Sequence, residues 1–232
     1  FSRCCRPLRP KADHPGPEFH PAIPQAHVRV LLCALISRSR SNFSLLGAGI
    51  FTTLTFGQSV GRKGRLGFPL VKSVRRRSFV ATGGTVLAAK LALKHKLACN
   101  TAGGSHHAFA KEGNGYCVFN DVAVAAKYLQ KKHQLPKILI LDLDVHQGDG
   151  TAKIFENDEN IFTVSVHSKK NYPSKKQVSN IDIELEDNME DEDYLTIIQN
   201  LLEKLNQKKF DFVFYVAGVD IHKDDRLGKL KV

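Results

Sequence analysis

Five cysteines in 232 residues, with no Cys-x-x-Cys pair among Cys4, Cys5, Cys33, Cys99 and Cys117, give neither an even disulfide framework nor the spacing of a zinc ribbon. A reducing compartment is the default for such a chain. A membrane span is missing too: residues 44–56, SLLGAGIFTTLTF, are too short and too rich in Gly and Thr for the roughly 20 apolar residues a bilayer requires. Acids are almost absent at the start, where residues 1–80 hold 14 Lys and Arg against 2 Asp and Glu, while residues 81–232 hold 20 against 21. The net charge of +11 would suggest nucleic acid if it were spread over the chain, but it belongs to the first third. Aromatic residues do not interleave with those arginines and no reader motif accompanies them, so no specific nucleic-acid partner is expected.

The leader differs from the rest in other ways. Six of the nine prolines lie within residues 1–24, and SRSRSNFS (37–44) is basic and serine-rich. The length and 42% hydrophobic content suit one packed domain with a tail. We therefore expect residues 1–64 to be a disordered, basic, Pro/Ser-rich extension, with His14, His20 and His27 as tail residues. Its Arg-rich, Ser-rich, acid-poor composition resembles an organelle transit peptide, against a default of cytoplasm or nucleus. The chain begins at Phe1 rather than Met, and the expectation is a start that is lost or misassigned.

From residue 81 the pattern becomes regular. GGTVLAAKLALKHK (83–96) predicts a helix with Val86, Leu87, Leu91 and Leu93 on its apolar face. NDVAVAAKYLQKKHQLP predicts a second, capped at Asn120 and Asp121 and stopped by Pro136. DEDYLTIIQNLLEKLNQKK (191–209) predicts a third, with acids at its start and lysines at its end. KILILDLD (137–144), NIFTVSVHS (160–168) and FDFVFYVAG (210–218) have the length and apolar content of buried strands. Strands that alternate with helices and are apolar on both faces indicate a parallel sheet covered by helices.

The strand 137–144 runs straight into Asp142, Asp144, His146 and Asp149. In open parallel sheets ligands bind beyond the carboxyl ends of the strands, which is where these residues fall. If the strand stays extended through residue 146, the side-chain period of two puts Asp142, Asp144 and His146 on one side. Ionisable groups so placed repel or lose hydration unless something positive holds them, and a divalent metal is the economical candidate. Asp144 and His146, with Asp220 from the strand ending VAGVD, supply two carboxylates and an imidazole and leave a position open for water or substrate. Such a metal brings the pKa of bound water toward about 7. A base must then take its proton, and His106 and His107, delivered after Gly103 and Gly104, are the free imidazoles, with Asp142 and Asp149 left to orient them.

Each feature has a plainer reading. An Asp-rich turn after a strand is often only a helix cap, with Asp149 capping the next helix; two histidines beside glycines are often a solvated loop; His133 and His167 read as structural. Their conjunction at successive strand ends favours a site.

GGSHHAFAKEGNGYCVFNDVAVAA, ILDLDVHQGDGT and YVAGVDIHKDDRLGKL together resemble the zinc-dependent histone deacetylase superfamily, which includes acetoin-utilization proteins and acetylpolyamine amidohydrolases. The wording is nearest the bacterial and class IV-like members, and the resemblance covers residues 65–232, which are expected to form a partial catalytic domain. It implies an α/β, arginase/deacetylase-like three-layer fold with a mostly parallel sheet, and hydrolysis of the amide of an acylated lysine, in a peptide or protein, or of an acetylated polyamine. It implies zinc on Asp144, His146 and Asp220, with Fe2+ able to replace it. His107 would be general base and acid, His106 an electrostatic support, and Asp142 and Asp149 their carboxylate partners. Gly115 and Tyr116 match positions that line the substrate tunnel, and Asp142 and Ser165 match part of a monovalent-cation (K+) site.

Relatives stabilise the oxyanion with the metal and a tyrosine in a downstream Gly-Gly-Tyr segment. This chain ends at Val232 before such a segment, so we expect a sheet incomplete at its C-terminus and an inactive metal-binding fragment or interaction protein as the alternative function. A two-metal, arginase-like hydrolase is less favoured, because His146 is followed by Gln147-Gly148 and position 222 is His222, where that chemistry wants acids. Oligomeric state, acyl length and physiological substrate have no signature in the sequence.

Overall fold

The computed structural model describes residues 29–35 and 66–232. The rest of the leader, including Cys4, Cys5, the tail histidines and residues 44–56, lies outside the described residues. Six strands form one sheet: β1 (Arg29–Leu35), β2 (Leu97–Asn100), β3 (Ile138–Asp142), β4 (Ile161–Ser168), β5 (Ile181–Leu185) and β6 (Phe212–Gly218). Their order is β2-β1-β6-β3-β4-β5, and every pairing among them is parallel. Among the described residues four helices, α1 (Lys72–His95), α2 (Asp121–His133), α3 (Asp149–Phe155) and α4 (Asp191–Asn206), accompany it.

Alternation along β3 builds the three layers. Ile138 and Ile140 join Phe212, Phe214 and the alanines of α1 and α2 in one buried cluster. Leu139 and Leu141 join Val164, Val166 and Leu201 of α4 in the other. Each buried Ile, Leu, Val or Phe stabilises the fold by about 1.5–3 kcal/mol relative to exposure, and because β3 is buried on both faces it reads as a continuous apolar run. This is the arginase/deacetylase-like α/β arrangement that the resemblance implied.

Several elements differ from expectation. The helix predicted over 83–96 begins at Lys72. Gly83 and Gly84 lie within it, where a side chain on Gly84 would crowd the Asn100 amide of β2 whereas one on Gly83 would meet open space; close approach to the sheet explains Gly84, and nothing in the structure explains Gly83. Its buried residues are Thr82, Thr85, Ala88, Ala89 and Ala92, whereas Leu87 and Leu91 are exposed. Val86 and Leu93 of the predicted face pack against the core, but the small residues, which let α1 lie close to its neighbours, form its centre. β1 falls inside the stretch assigned to the leader, yet it pairs with β2 on one side and β6 on the other, so the sheet begins before residue 65. β5 is an edge strand whose alternating exposure puts Asp182 and Glu184 outward, a pattern that discourages edge-to-edge pairing. The strands expected over 137–144, 160–168 and 210–218 and the helices at 121 and 191 form, and Asn120 caps α2 by accepting from the Ala123 N–H at 2.9 Å.

Candidate metal centre and histidine pair

The chain leaves β3 at Asp142 and does not stay extended to residue 146. Side-chain alternation therefore does not bring the acids together; a run of side chain to backbone hydrogen bonds does. Asp142 accepts from the Asp144 N–H at 3.1 Å, Asp144 from the His146 N–H at 2.8 Å, and Asp220, two residues past β6, from the Val145 N–H at 3.1 Å. These turns aim three side chains at one point. His146 Nδ1 lies 3.1 Å from Asp144 Oδ1 and 3.0 Å from Asp220 Oδ2, and one ligand atom from each residue falls within 4.8 Å of the other two. A Cβ on Gly218 would strike the Asp144 carboxylate, so glycine is required there for space.

The electrostatics suit a cation. Burial disfavours the Asp144 anion, but the neighbouring His106 and His146 outweigh it and hold its carboxyl down to about 2. Burial likewise opposes the His146 imidazolium, yet its hydrogen bonds with Asp144 and Asp220 push it up to about 9. A proton shared between two carboxylates marks the position where a divalent ion would satisfy all three donors, and a set of two carboxylates and one imidazole fits such an ion. Among the described residues this is the only group of three or more His, Cys, Asp or Glu with that geometry.

The two histidines lie on the loop between β2 and α2, and the start of α2 grips that loop. Asp121 accepts from the N–H groups of Gly104 and Ser105, and the Asn120 amide donates to the carbonyls of His106 and Ala108. Thr85 of α1 completes the clamp by donating to Asp121 at 2.5 Å. The rings of His106 and His107 stand 4.2 Å apart, each with its own carboxylate: His106 Nδ1 to Asp142 Oδ2 at 2.6 Å and His107 Nδ1 to Asp149 Oδ1 at 2.6 Å. Asp149 lies in the first turn of α3, but Gly148 occupies the cap position and no side chain caps the helix. The carboxylate serves His107 instead, and Asn114 also donates to it at 3.3 Å.

The paired rings differ in charge. Burial works against the His106 imidazolium, but Asp142 and Asp144 overcome it and raise its pKa to about 10. Burial, then the neighbouring His106 charge, push His107 down to about 4. Near neutrality one imidazole is thus a cation and the other is neutral, and the His107 proton belongs on the nitrogen facing Asp149, which leaves Nε2 with a lone pair. Burial also pushes the Cys117 thiol up to about 12, so it offers no thiolate beside His107.

Gly115 has a positive φ of 50° and lies against the His107 ring, where a Cβ would come within 2.8 Å of its Cδ2. Tyr116 follows with φ 63° and is 72% exposed, stacked on Phe68 at 6.0 Å. Ser165 is the register partner of Asp142 across β3 and β4, and its hydroxyl bonds His167 Nδ1 at 3.0 Å. One residue near the pair was not foreseen. The Tyr172 ring stands edge-on to His107 at 4.9 Å and 89°, on the loop after β4. An aromatic residue just past the carboxyl end of a buried strand was its signal.

The family model described as histone deacetylase domain matches residues 34–232. The chain belongs to the histone deacetylase family. An uncharacterized protein of Picosynechococcus sp. is 53% identical over 167 residues, which make up 72% of this deacetylase-family chain and 56% of the relative. The acetoin utilization protein AcuC of Staphylococcus aureus is 32% identical over 174 residues, 68% of the chain and 44% of its own length. The crystal structure of an HDAC homolog from Aquifex aeolicus superimposes with a TM-score of 0.64 at 29% identity, covering 70% of the chain and 47% of the homolog. The chain spans about half the length of the curated relatives it matches. Among the described residues no helix is long and apolar enough to cross a membrane.

Proposed function

We propose that this chain carries the metal and histidine machinery of a deacylase acting on the amide of an acetylated lysine or acetylated polyamine. The observation behind the reading is the meeting of two groups at the same strand ends: Asp144, His146 and Asp220 around one point, and the His107 ring 5.9 Å from that of His146. Asp144, His146 and Asp220 would hold the ion, zinc or ferrous iron, which share a preference for such N/O donors. When bound, the ion supplies a Lewis acid that polarises an acyl carbonyl and makes water more acidic.

The protein's own groups handle the proton. His107 Nε2 accepts it from the attacking water, while Asp149 holds Nδ1–H and stabilises the imidazolium that forms. As the C–N bond breaks, the same Nε2–H protonates the departing amine. His106 stays charged and supplies a fixed positive field beside the developing oxyanion, anchored by Asp142. Gly115, Tyr116 and Tyr172 form the walls for the aliphatic stem of the substrate. A monovalent cation such as K+ at Asp142 and Ser165 would stiffen the strand ends beneath the pair. In this reading the catalytic domain of residues 65–232 takes in β1 as well.

The test is acetate release from an acetyl-lysine peptide by the zinc-loaded chain extended with the C-terminal part of its Picosynechococcus relative. Release that falls about 100- to 10,000-fold in His107→Ala supports the reading. A background rate shared by both proteins overturns it and leaves a metal-binding protein without catalysis.

A further inference from the structure

Asn171 joins two loops that meet at the candidate site. It is 6% exposed on the segment after β4, and its side chain reaches across to the C-terminal loop: Nδ2 donates to the Leu227 carbonyl at 2.7 Å and Oδ1 accepts from the Lys229 N–H at 3.2 Å. Its own carbonyl accepts from Lys176 Nζ at 2.7 Å, and the same ammonium donates to the Pro173 carbonyl at 2.7 Å. On one side the next residue is Tyr172, whose ring packs against His107. On the other, between the two residues that Asn171 holds, Gly228 lies so tightly on the Asp220 carbonyl that no side chain fits. The contacts therefore run unbroken from the aromatic wall to the loop that presents Asp220.

We propose that Asn171 is a positioning residue that couples the Tyr172 wall to the Asp220 loop, so that a divalent cation at Asp144, His146 and Asp220 and an ordered entrance wall favour one another. The inference rests on reading that cluster as a metal centre. The physical basis is economy of freedom: the buried amide spends its donor and its acceptor on one loop while its backbone belongs to the other, so neither loop shifts without breaking those bonds. Linkage makes the effect reciprocal, and whatever loosens the wall weakens the ion. The entrance for substrate thus becomes ordered around a loaded centre.

The experiment uses the full chain labelled with 3-fluorotyrosine and titrated with zinc chloride, followed by 19F NMR and by calorimetry. Tyr172→Phe assigns the resonance. In the wild type the Tyr172 signal should move with zinc and saturate with the heat. In Asn171→Ala the affinity for zinc should fall roughly 10-fold or more, the scale seen when outer partners of ligands are removed, and the Tyr172 signal should no longer follow the metal. Asn171→Asp keeps the shape and the acceptor for Lys229 but loses the donor to Leu227; it should fall between, and it carries the test if the alanine variant fails a circular-dichroism check of folding. Wild-type zinc affinity in a folded Asn171 variant, or a Tyr172 signal that tracks zinc as before, overturns the coupling while the metal reading stands. No zinc uptake by the wild type overturns both.

Discussion

His107 Nδ1 and Asp149 Oδ1 meet at 2.6 Å although 42 residues separate them in the chain. One comes from the loop before α2 and the other from the first turn of α3, and the α3 backbone packs against the histidine loop, with the Thr151 N–H donating to the His106 carbonyl at 3.0 Å. The carboxylate fixes which ring nitrogen carries the proton, and so which one keeps its lone pair.

Asp149→Asn tests that arrangement. The amide offers an N–H to Nδ1 and drives the proton to Nε2, removing the base without removing the side chain. We expect turnover of the extended, zinc-loaded chain on an acetyl-lysine peptide to fall by about 100- to 10,000-fold, with zinc affinity unchanged by calorimetry. A loss under about threefold contradicts the role of Asp149.

Gly218→Ala probes the candidate metal cluster by adding one methyl group. The new Cβ meets the Asp144 carboxylate, which must turn away from His146. Zinc affinity should drop by roughly 10-fold or more, in the range reached by disturbing a ligand's surroundings. Affinity equal to the wild type would show that the carboxylate stands elsewhere.

Much of this was legible in the sequence because the buried strands are apolar on both faces and end in charge. KILILDLD and FDFVFYVAG announce β3 and β6, and the acids just beyond them announce the cluster. The route to the cluster was not legible: Asp144 and His146 converge through hydrogen-bonded turns, which a period of two cannot describe. β1 was hidden by its basic surroundings and depends on partners near residues 97 and 212. β5, IDIEL, is half polar because it is an edge. Gly84 in α1 looked like part of a helix start because the approach of Asn100 leaves no trace in local composition. Tyr172 was missed because its contact with His107 depends on loop geometry.

Phe214→Ala examines the core beneath the site. Phe214 is fully buried on β6 and packs on Phe212 with ring centroids 4.8 Å apart. Truncation should cost about 3–5 kcal/mol in urea unfolding. A cost below about 1 kcal/mol would mean that this face of the sheet is not packed as described.

Zinc should also raise thermal stability, because an ion held by the folded cluster would have no such partner in the dispersed residues. At 100 times its dissociation constant the gain is about 2.7 kcal/mol, or roughly 5–10 °C in melting temperature for a chain of this size. A chelator should reverse the shift, and Asp144→Ala should abolish it.

The most direct measurement is zinc stoichiometry by elemental analysis after exhaustive dialysis, on the wild type and on Asp220→Ala. One ion per chain in the wild type and close to none in the variant is the predicted result. Two ions per chain, none in the wild type, or one retained without Asp220 would contradict a single centre built from Asp144, His146 and Asp220.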